Sequence, residues 1–481
     1  MLLDPRPLAA QTTGDMAPDP ASPDESAAPG WREILAPQYL TRFLFLCLGV
    51  WLNAADSLVT VTITPSIAQD IGGFRYFAWS VAAFLLASIL SGAVSGRLSL
   101  RLGLRGALTA SAIVYAIGCG MSAAAPDFLI FVAGRLVQGL GAGAIMALCY
   151  VATTALFPER LWARVFGAIA GVWGIATILG PLLGGLLAGP GLWRWTFWLF
   201  AAQALVFIVA ALTMIARQPR AEAARTPVAW GQLAALTASV SFIAVAGIVG
   251  SPLPAAALGL AGVAALAWMI AVNGTTQGAL LPRAIGHFAG AAAAGYLMIF
   301  ALEAASVAFT VYGPAMIQAR HQVSPLVAGY VITAMAGGWT LTALAVAGVQ
   351  DRDGLMIRLG ASVLLAGVMF SVWAMPRGGL LSIVVGMVLI GAGFGLSWAF
   401  ATRRILSGLD EEQQALASSA VPTAQLIGGA VGSAAAGAVA NVLGFAEGID
   451  PAVAASQGVW LFAAFAPLAL VGWWAAWRLG R

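Results

Sequence analysis

The stretch Asn53-Ala-Ala-Asp56-Ser-Leu-Val-Thr60-Val-Thr-Ile-Thr64-Pro65 decides the fold. It lies in an apolar run near 39–63 that is long enough to cross a bilayer as a helix. Asn53, Asp56, Thr60 and Thr64 are spaced 3, 4 and 4, which puts them on one helix face. An Asp at the centre of a membrane helix costs about 2.5–3.5 kcal/mol on insertion scales. It is kept where it faces a partner or a water-filled cavity, or where one buried ion pair ties two helices together.

The apolar pattern continues on both sides of this stretch. The chain has 481 residues, of which 61% are hydrophobic and 9% charged, against about 25% charged in a soluble domain. Mean hydropathy is +0.92. So few charges cannot coat a soluble enzyme, and the composition also excludes a disordered or collagen-like chain. Fourteen apolar runs follow one another, near 39–63, 76–97, 104–123, 128–149, 163–187, 193–215, 229–250, 254–273, 288–313, 326–349, 356–374, 379–402, 417–443 and 457–478. Residues 1–36, rich in Pro, Ala and Asp, predict a disordered tail without the apolar core of a signal peptide. The expected organisation is a six-helix bundle over 37–217, two additional helices over 218–275, and a second six-helix bundle over 276–481.

All 23 basic residues are Arg, scattered singly with no basic face, so nucleic acid is not an expected partner. Their distribution serves as an orientation signal. With the N-terminus in the cytoplasm, eighteen fall inside, Arg75, Arg194, Arg320 and Arg377 outside, and Arg135 within a span. This predicts an even number of spans with both termini cytoplasmic. Cys47, Cys119 and Cys149 all lie in apolar runs, so no disulfide framework is implied. A chain without Lys cannot build a nucleotide-binding P-loop, and neither a cofactor nor a metal is expected. Energy must then come from an ion or substrate gradient.

Further embedded polar groups mark a candidate site. Gly134-Arg135-Leu-Val-Gln138-Gly139-Leu-Gly141-Ala-Gly143 places a cation within the fourth run, with Gln138 one turn on. Arg135 is either paired to carbonyls or to Asp56, or coupled to an acid in the working cycle. In the ninth run Glu303, Ser306 and Thr310 share one face, with no cation at helical spacing from Glu303. Gln425 lies near Pro422 and Thr423. Trp51, Trp173, Trp339 and Trp398 are candidates for lining a cavity, or for packing and interface anchoring. The fifth run carries Gly167, Gly171, Gly174 and then Gly180-Pro181-Leu-Leu-Gly184-Gly185, a face that admits close helix packing, with Pro181 favouring a kink.

In this order the motifs resemble the major facilitator superfamily and, within it, its fourteen-helix drug:proton antiporter group. The first-helix segment from Asp56 to Pro65, Trp79 to Ala87, Arg135 to Gly143, the antiporter motif from Gly171 to Gly185, and Trp193 to Phe197 carry the resemblance over about residues 50–200. The C-terminal half matches more loosely, through Asp351 to Gly354 and Ala417 to Gly432. The signature loop is similar to Gly96-Arg97-Leu98-Ser99-Leu100-Arg101-Leu102-Gly103, except that Leu100 replaces the usual Asp. The second-half loop, Asp351-Arg352-Asp353-Gly354, retains the acid. In the family this acid is part of a charge lock in the gating loops.

The resemblance implies an all-helical protein of two six-helix bundles plus two helices between them. It implies a monomeric, multi-pass exporter in a bacterial inner membrane. Such a protein exchanges protons for lipophilic or amphipathic compounds by alternating access, with Asp56, Glu303 and Arg135 coupling the two. The stripes of the first and ninth helices are expected to face each other across the cavity. A dedicated exporter of one endogenous lipid, siderophore or secondary metabolite is the nearest alternative. A membrane enzyme fits less well, because His287 and His321 lie in loops without an acid pair, and a non-transporting sensor has only the replaced loop acid at Leu100 in its favour.

Overall fold

In a bilayer every backbone N–H and C=O must find its partner within the protein, and long uninterrupted apolar runs satisfy that rule as helices. The computed structural model agrees, being all-helical among its described residues, which are 31–189, 191–216, 227–282, 285, 290–407 and 411–481. The helices are α1 (Trp31–Ile34), α2 (Pro37–Ile71), α3 (Trp79–Ala123), α4 (Phe128–Leu156), α5 (Glu159–Leu187), α6 (Trp193–Met214), α7 (Trp230–Ala246) and α8 (Pro252–Ala271). They continue with α9 (Ala291–His321), α10 (Pro325–Val346), α11 (Asp353–Arg377), α12 (Leu380–Leu406), α13 (Glu411–Val442), α14 (Pro451–Ala463) and α15 (Ala466–Leu479). Side chains cap some of the starts: Asp127 accepts from Ile130 N (2.9 Å) at α4 and Asp450 from Ala452 N (2.8 Å) at α14.

Most of the predicted disordered tail, together with Arg6, Arg217, Arg220, Arg225, Arg283 and His287, lies outside the described residues. Its end at 31–36 is corrected: α1 forms there, Ile34 is buried, and Glu33 pairs with Arg160 at 2.7 Å.

Among the described residues, twelve segments are long and apolar enough to cross a membrane, where the sequence predicts fourteen. Two departures account for the difference. Helix α7 is 17 residues long and falls just short of a span. The second and third runs form one continuous helical element, interrupted only at Gly103 (φ 70, ψ 161). At 45 residues α3 would be about 68 Å long if straight, more than twice the ~30 Å apolar thickness of a bilayer.

Its contacts show that it is not straight. Before Gly103, Phe84 abuts Gly139 and Ser88 abuts Gly143, so the chain runs parallel to α4. After Gly103, Tyr115 abuts Gly141, Gly118 abuts Gln138 and Ser122 abuts Gly134, so it runs antiparallel. The chain therefore reverses at Gly103, in a backbone region that is essentially glycine-only. Gly103→Ala is expected to cost about 1–3 kcal/mol, read as a lower thermal unfolding midpoint in detergent. An unchanged midpoint would show that the turn tolerates a side chain.

The two ends of the molecule differ. At the end where α2, α5, α9 and α13 finish, the halves of the chain touch. Gly185 meets Leu326, Gly329 meets Thr62 and Pro181, and Tyr330 donates to Ile178 O (3.0 Å). The rings of Phe77 and Tyr312 lie 5.2 Å apart, and Asn441 donates to Arg75 O (2.9 Å). Positions 167, 171, 174, 178, 181 and 185 of α5 repeat every 3–4 residues and form one face. The last three meet α10, whereas a Cβ on Gly167, Gly171 or Gly174 would meet nothing within 4 Å. Gly337 of α10 is equally open. The gap between α5 and α10 is thus closed at one end and open at the other.

Helices α7 and α8 pack together, and α7 packs against α13, with Gly247 at its end abutting Ala438. Leu86 of α3, Leu236 of α7 and Ile427 of α13 share one apolar cluster. Buried Gln232 and Asn273 hold this pair to the chain beyond it: Gln232 donates to Asn273 Oδ1 (3.0 Å), and Asn273 donates to Leu281 O and Pro282 O (both 2.9 Å).

Candidate functional site

Two embedded acids sit in different surroundings. Asp56 is 0% exposed and meets four donors. Arg135 Nη1 and Thr60 Oγ1 donate to Oδ1 at 2.7 and 2.9 Å, and Gln138 Nε2 donates to Oδ2 at 3.3 Å. The Tyr115 hydroxyl lies 3.2 Å from Oδ2 and 3.1 Å from Leu52 O, so its proton serves one of them at a time. Arg135 is itself buried, with its guanidinium carbon 4.2 Å from the Phe84 ring centre. Ser122 donates to Gln138 Oε1 (2.9 Å), and Gln138 Nε2 also reaches Cys119 Sγ (3.2 Å). Every member of this network belongs to α2, α3 or α4.

The expected opposition of the Asp56 and Glu303 stripes is therefore corrected. Asp56 turns into the core of the N-terminal half and has no exposed surface, because Arg135 is the stronger attraction for a carboxylate than an open cavity. Thr60 remains with Asp56, while Thr64 bonds back to Thr60 O (2.6 Å). Asn53 is half-buried, and its carbonyl accepts from Ser57 (2.9 Å).

Glu303 is half-buried and accepts from the neutral amide of Gln425 (Nε2 to Oε2, 3.1 Å). Gly428 and Gly429 of α13 allow this approach, and Leu85 of α3 closes over Gly429. Glu303 thus sits where α9 and α13 meet the N-terminal half. Ser306 and Thr310 do not reach its carboxylate; they bond back to Glu303 O (3.1 Å) and Val307 O (2.9 Å).

The four candidate tryptophans do not share one cavity. Trp51 donates to Gln203 of α6 (3.0 Å), which directs it into the N-terminal half. Trp339 stacks on Phe394 (5.0 Å between ring centres) and meets Trp398, and both tryptophans line a small ~100 Å³ cavity between α10 and α12. Trp173 is 37% exposed on α5. In the antiporter motif Gly180 and Gly184 abut Leu58 and Thr62 of α2, and Gly185 and Pro181 face α10.

The candidate gating loops also differ from one another. Gly103 makes the chain reversal, Gly96 faces open space, Arg97 is half-buried and Arg101 exposed. In the second loop Asp351 takes the left-handed conformation (φ 56), Arg352 is exposed, and Gly354 packs against Gly480. The ion pair there is made by Asp353 with Arg403 (3.2 Å).

Sequence reasoning missed Tyr115, Cys119 and Ser122. Their spacing of 4 and 3 in an otherwise apolar run was the available signal. Among the described residues, no group of three or more His, Cys, Asp or Glu is placed to hold a metal ion.

The Major Facilitator Superfamily family model matches residues 46–433. The chain belongs to this superfamily. It is 29% identical over 459 residues to a probable multidrug-efflux transporter of Mycobacterium tuberculosis, found in two strains, covering 92% of this chain and 94% of that protein. Its fold is similar to that of peptide transporter POT (TM-score 0.65, 14% identity, 92% of this chain and 95% of that one). It is also similar to a D-xylose-proton symporter (TM-score 0.60, 16% identity, 89% and 97%). The protein is a multi-pass membrane transporter of the superfamily and not an enzyme.

Proposed function

We propose that the protein is a proton-coupled antiporter that exports lipophilic or amphipathic compounds, and that it belongs to the fourteen-helix drug:proton group. Helix α3 then crosses twice, turning at Gly103, and α7 crosses once. Both termini are cytoplasmic, which places Arg75, Arg194, Arg320 and Arg377 outside. The membrane is a bacterial inner membrane. The closed end of the α5–α10 gap then faces outward, and the molecule is open to the cytoplasm. Residues 37–217 and 276–481 rock against each other as two bundles.

The observation that carries this reading is the partner of Glu303. Glu303 is held by a neutral amide, so a change in its charge strands no buried cation, whereas Asp56 is the partner of the buried Arg135 guanidinium. Glu303 is accordingly the principal proton carrier. Protons arriving from outside neutralise it and release substrate; their departure to the cytoplasm restores the charge that favours a cationic or amphipathic substrate. Asp56 and Arg135 set the shape of the N-terminal half on which this cycle depends.

Reconstituted protein is expected to change the internal pH of proton-loaded vesicles when a lipophilic cationic dye is added. Glu303→Gln should abolish gradient-driven accumulation while leaving downhill dye exchange. If Glu303→Gln leaves gradient-driven accumulation intact, proton coupling through Glu303 is wrong. Competition by many unrelated dyes marks a multidrug pump; transport of a single compound marks a dedicated exporter.

A further inference from the structure

A cavity of ~280 Å³, lined by neither Asp56 nor Glu303, lies between α8, α9, α13 and α15. Its walls are almost entirely apolar: Leu266 and Ile270 from α8, Tyr296 and Phe300 from α9, and Ile427 from α13. The exception is Arg478, near the end of α15, beside Trp474. The Arg478 guanidinium carbon stands 4.9 Å from the Trp474 ring centre, which holds the charge at the cavity's edge. Two lining residues, Trp474 and Leu297, are 50% and 36% exposed, so the cavity opens on the outer surface of the helical array. In a membrane transporter that surface faces lipid.

These features decide the occupant. Water gains little in a dry apolar crevice, and an empty crevice forfeits dispersion contacts along its walls. The neighbouring medium supplies a better filler, a hydrocarbon chain. A chain lying there brings its headgroup toward the helix ends, where Arg478 sits at the edge. Trp beside Arg at such a level is the pairing that anchors a membrane interface. A guanidinium recognises phosphate through charge-assisted hydrogen bonds.

We infer that this cavity is a binding site for one anionic phospholipid, with an acyl chain between α8 and the C-terminal bundle and the phosphate at Arg478. The site also gives the α7–α8 pair a purpose, because α8 supplies one wall and without it the crevice would be an open face. Its floor touches the working region: Phe300 is one turn from Glu303 on α9, and Ala424, another lining residue, is the neighbour of Gln425 on α13. The inference does not depend on the transported compound or on proton coupling.

The test uses full-length protein in nanodiscs carrying phosphatidylglycerol or phosphatidylcholine with a photoactivatable acyl chain, followed by peptide mapping. Phosphatidylglycerol is expected to label peptides containing Leu266–Ile270 and Tyr296–Phe300 about fivefold more than phosphatidylcholine does, the preference one surface cation supplies. Arg478→Gln should remove that preference, and Arg478→Lys should retain most of it. Ala294→Phe, which projects a ring into the cavity, should remove labelling by both lipids while an unaltered unfolding midpoint reports an intact fold. Equal labelling by the two lipids overturns the anionic assignment. Labelling spread evenly over all lipid-facing helices, or unaffected by Ala294→Phe, overturns the site.

Discussion

Arg135→Ala is expected to destabilise the protein by roughly 3–5 kcal/mol, the cost of removing one partner from a buried ion pair. The size follows from what remains. Asp56 would keep Thr60, Tyr115 and Gln138, but these are neutral donors, and the carboxylate has no exposure through which water could replace the lost cation. The deletion also removes the guanidinium from the Phe84 ring. Removing both charges should be cheaper than removing one. Arg135→Ala combined with Asp56→Asn is therefore expected to be more stable than Arg135→Ala alone. Thermal unfolding of the four proteins in one detergent closes the cycle. Strict additivity of the two single changes would mean that the pair does not interact as the 2.7 Å contact indicates.

The same pair illustrates what the sequence discloses. Asp56 and Arg135 stand out because charge is rare in this chain, and each lies within an apolar run. Periodicity correctly groups Asp56 with Thr60, because helical spacing alone determines that contact. It leaves open which helix the polar face meets, since that depends on how helices distant in sequence pack. Tyr115 and Cys119 were overlooked for a related reason: neither carries a formal charge, and both pass as ordinary members of an apolar run. Trp51 shows the converse. Its size suggests a cavity wall, but its indole N–H finds Gln203, a partner 152 positions away.

The fold was more legible than the site. Apolar runs mark helices wherever the bilayer forces backbone groups to pair internally, and the runs correspond to helices across the described chain. Segment ends are where composition misleads. Leu100-Arg101-Leu102-Gly103 is read as a loop between two helices, yet it is compressed to a single reversing glycine within a continuous element. The short connection from α7 to α8 through Ser251 was legible as a tight joint, because a Pro at the start of α8 fits a helix N-terminus.

The row of glycines on α5 supports the sharpest expectation about the transport cycle. In sequence, Gly171 and Gly185 look equivalent, since both belong to one helix face. In the structure they are opposites. A Cβ on Gly185 would lie 2.6 Å from Leu326 Cα and 2.5 Å from its Cβ, whereas one on Gly171 would meet nothing within 4 Å. Gly185→Val should therefore force α5 from α10 at the closed end, with an overpacking penalty of about 1–3 kcal/mol. A two-state equilibrium then shifts roughly five- to more than a hundredfold toward the form in which this end is open. Gly171→Val, the same chemical change on the same face, should leave the closed end undisturbed in this form. Cysteines introduced by Ile178→Cys and Tyr330→Cys, joined by a bifunctional thiol reagent long enough to replace the tyrosine ring, provide the measurement, because the Tyr330 hydroxyl reaches Ile178 O across the gap. Cross-linking between them is expected to fall sharply with Gly185→Val and to stay near the parental level with Gly171→Val. If both variants cross-link as the parent does, the contact of Gly185 with Leu326 does not hold this end closed. If both lose cross-linking equally, the distinction between the packed and open parts of the glycine face fails.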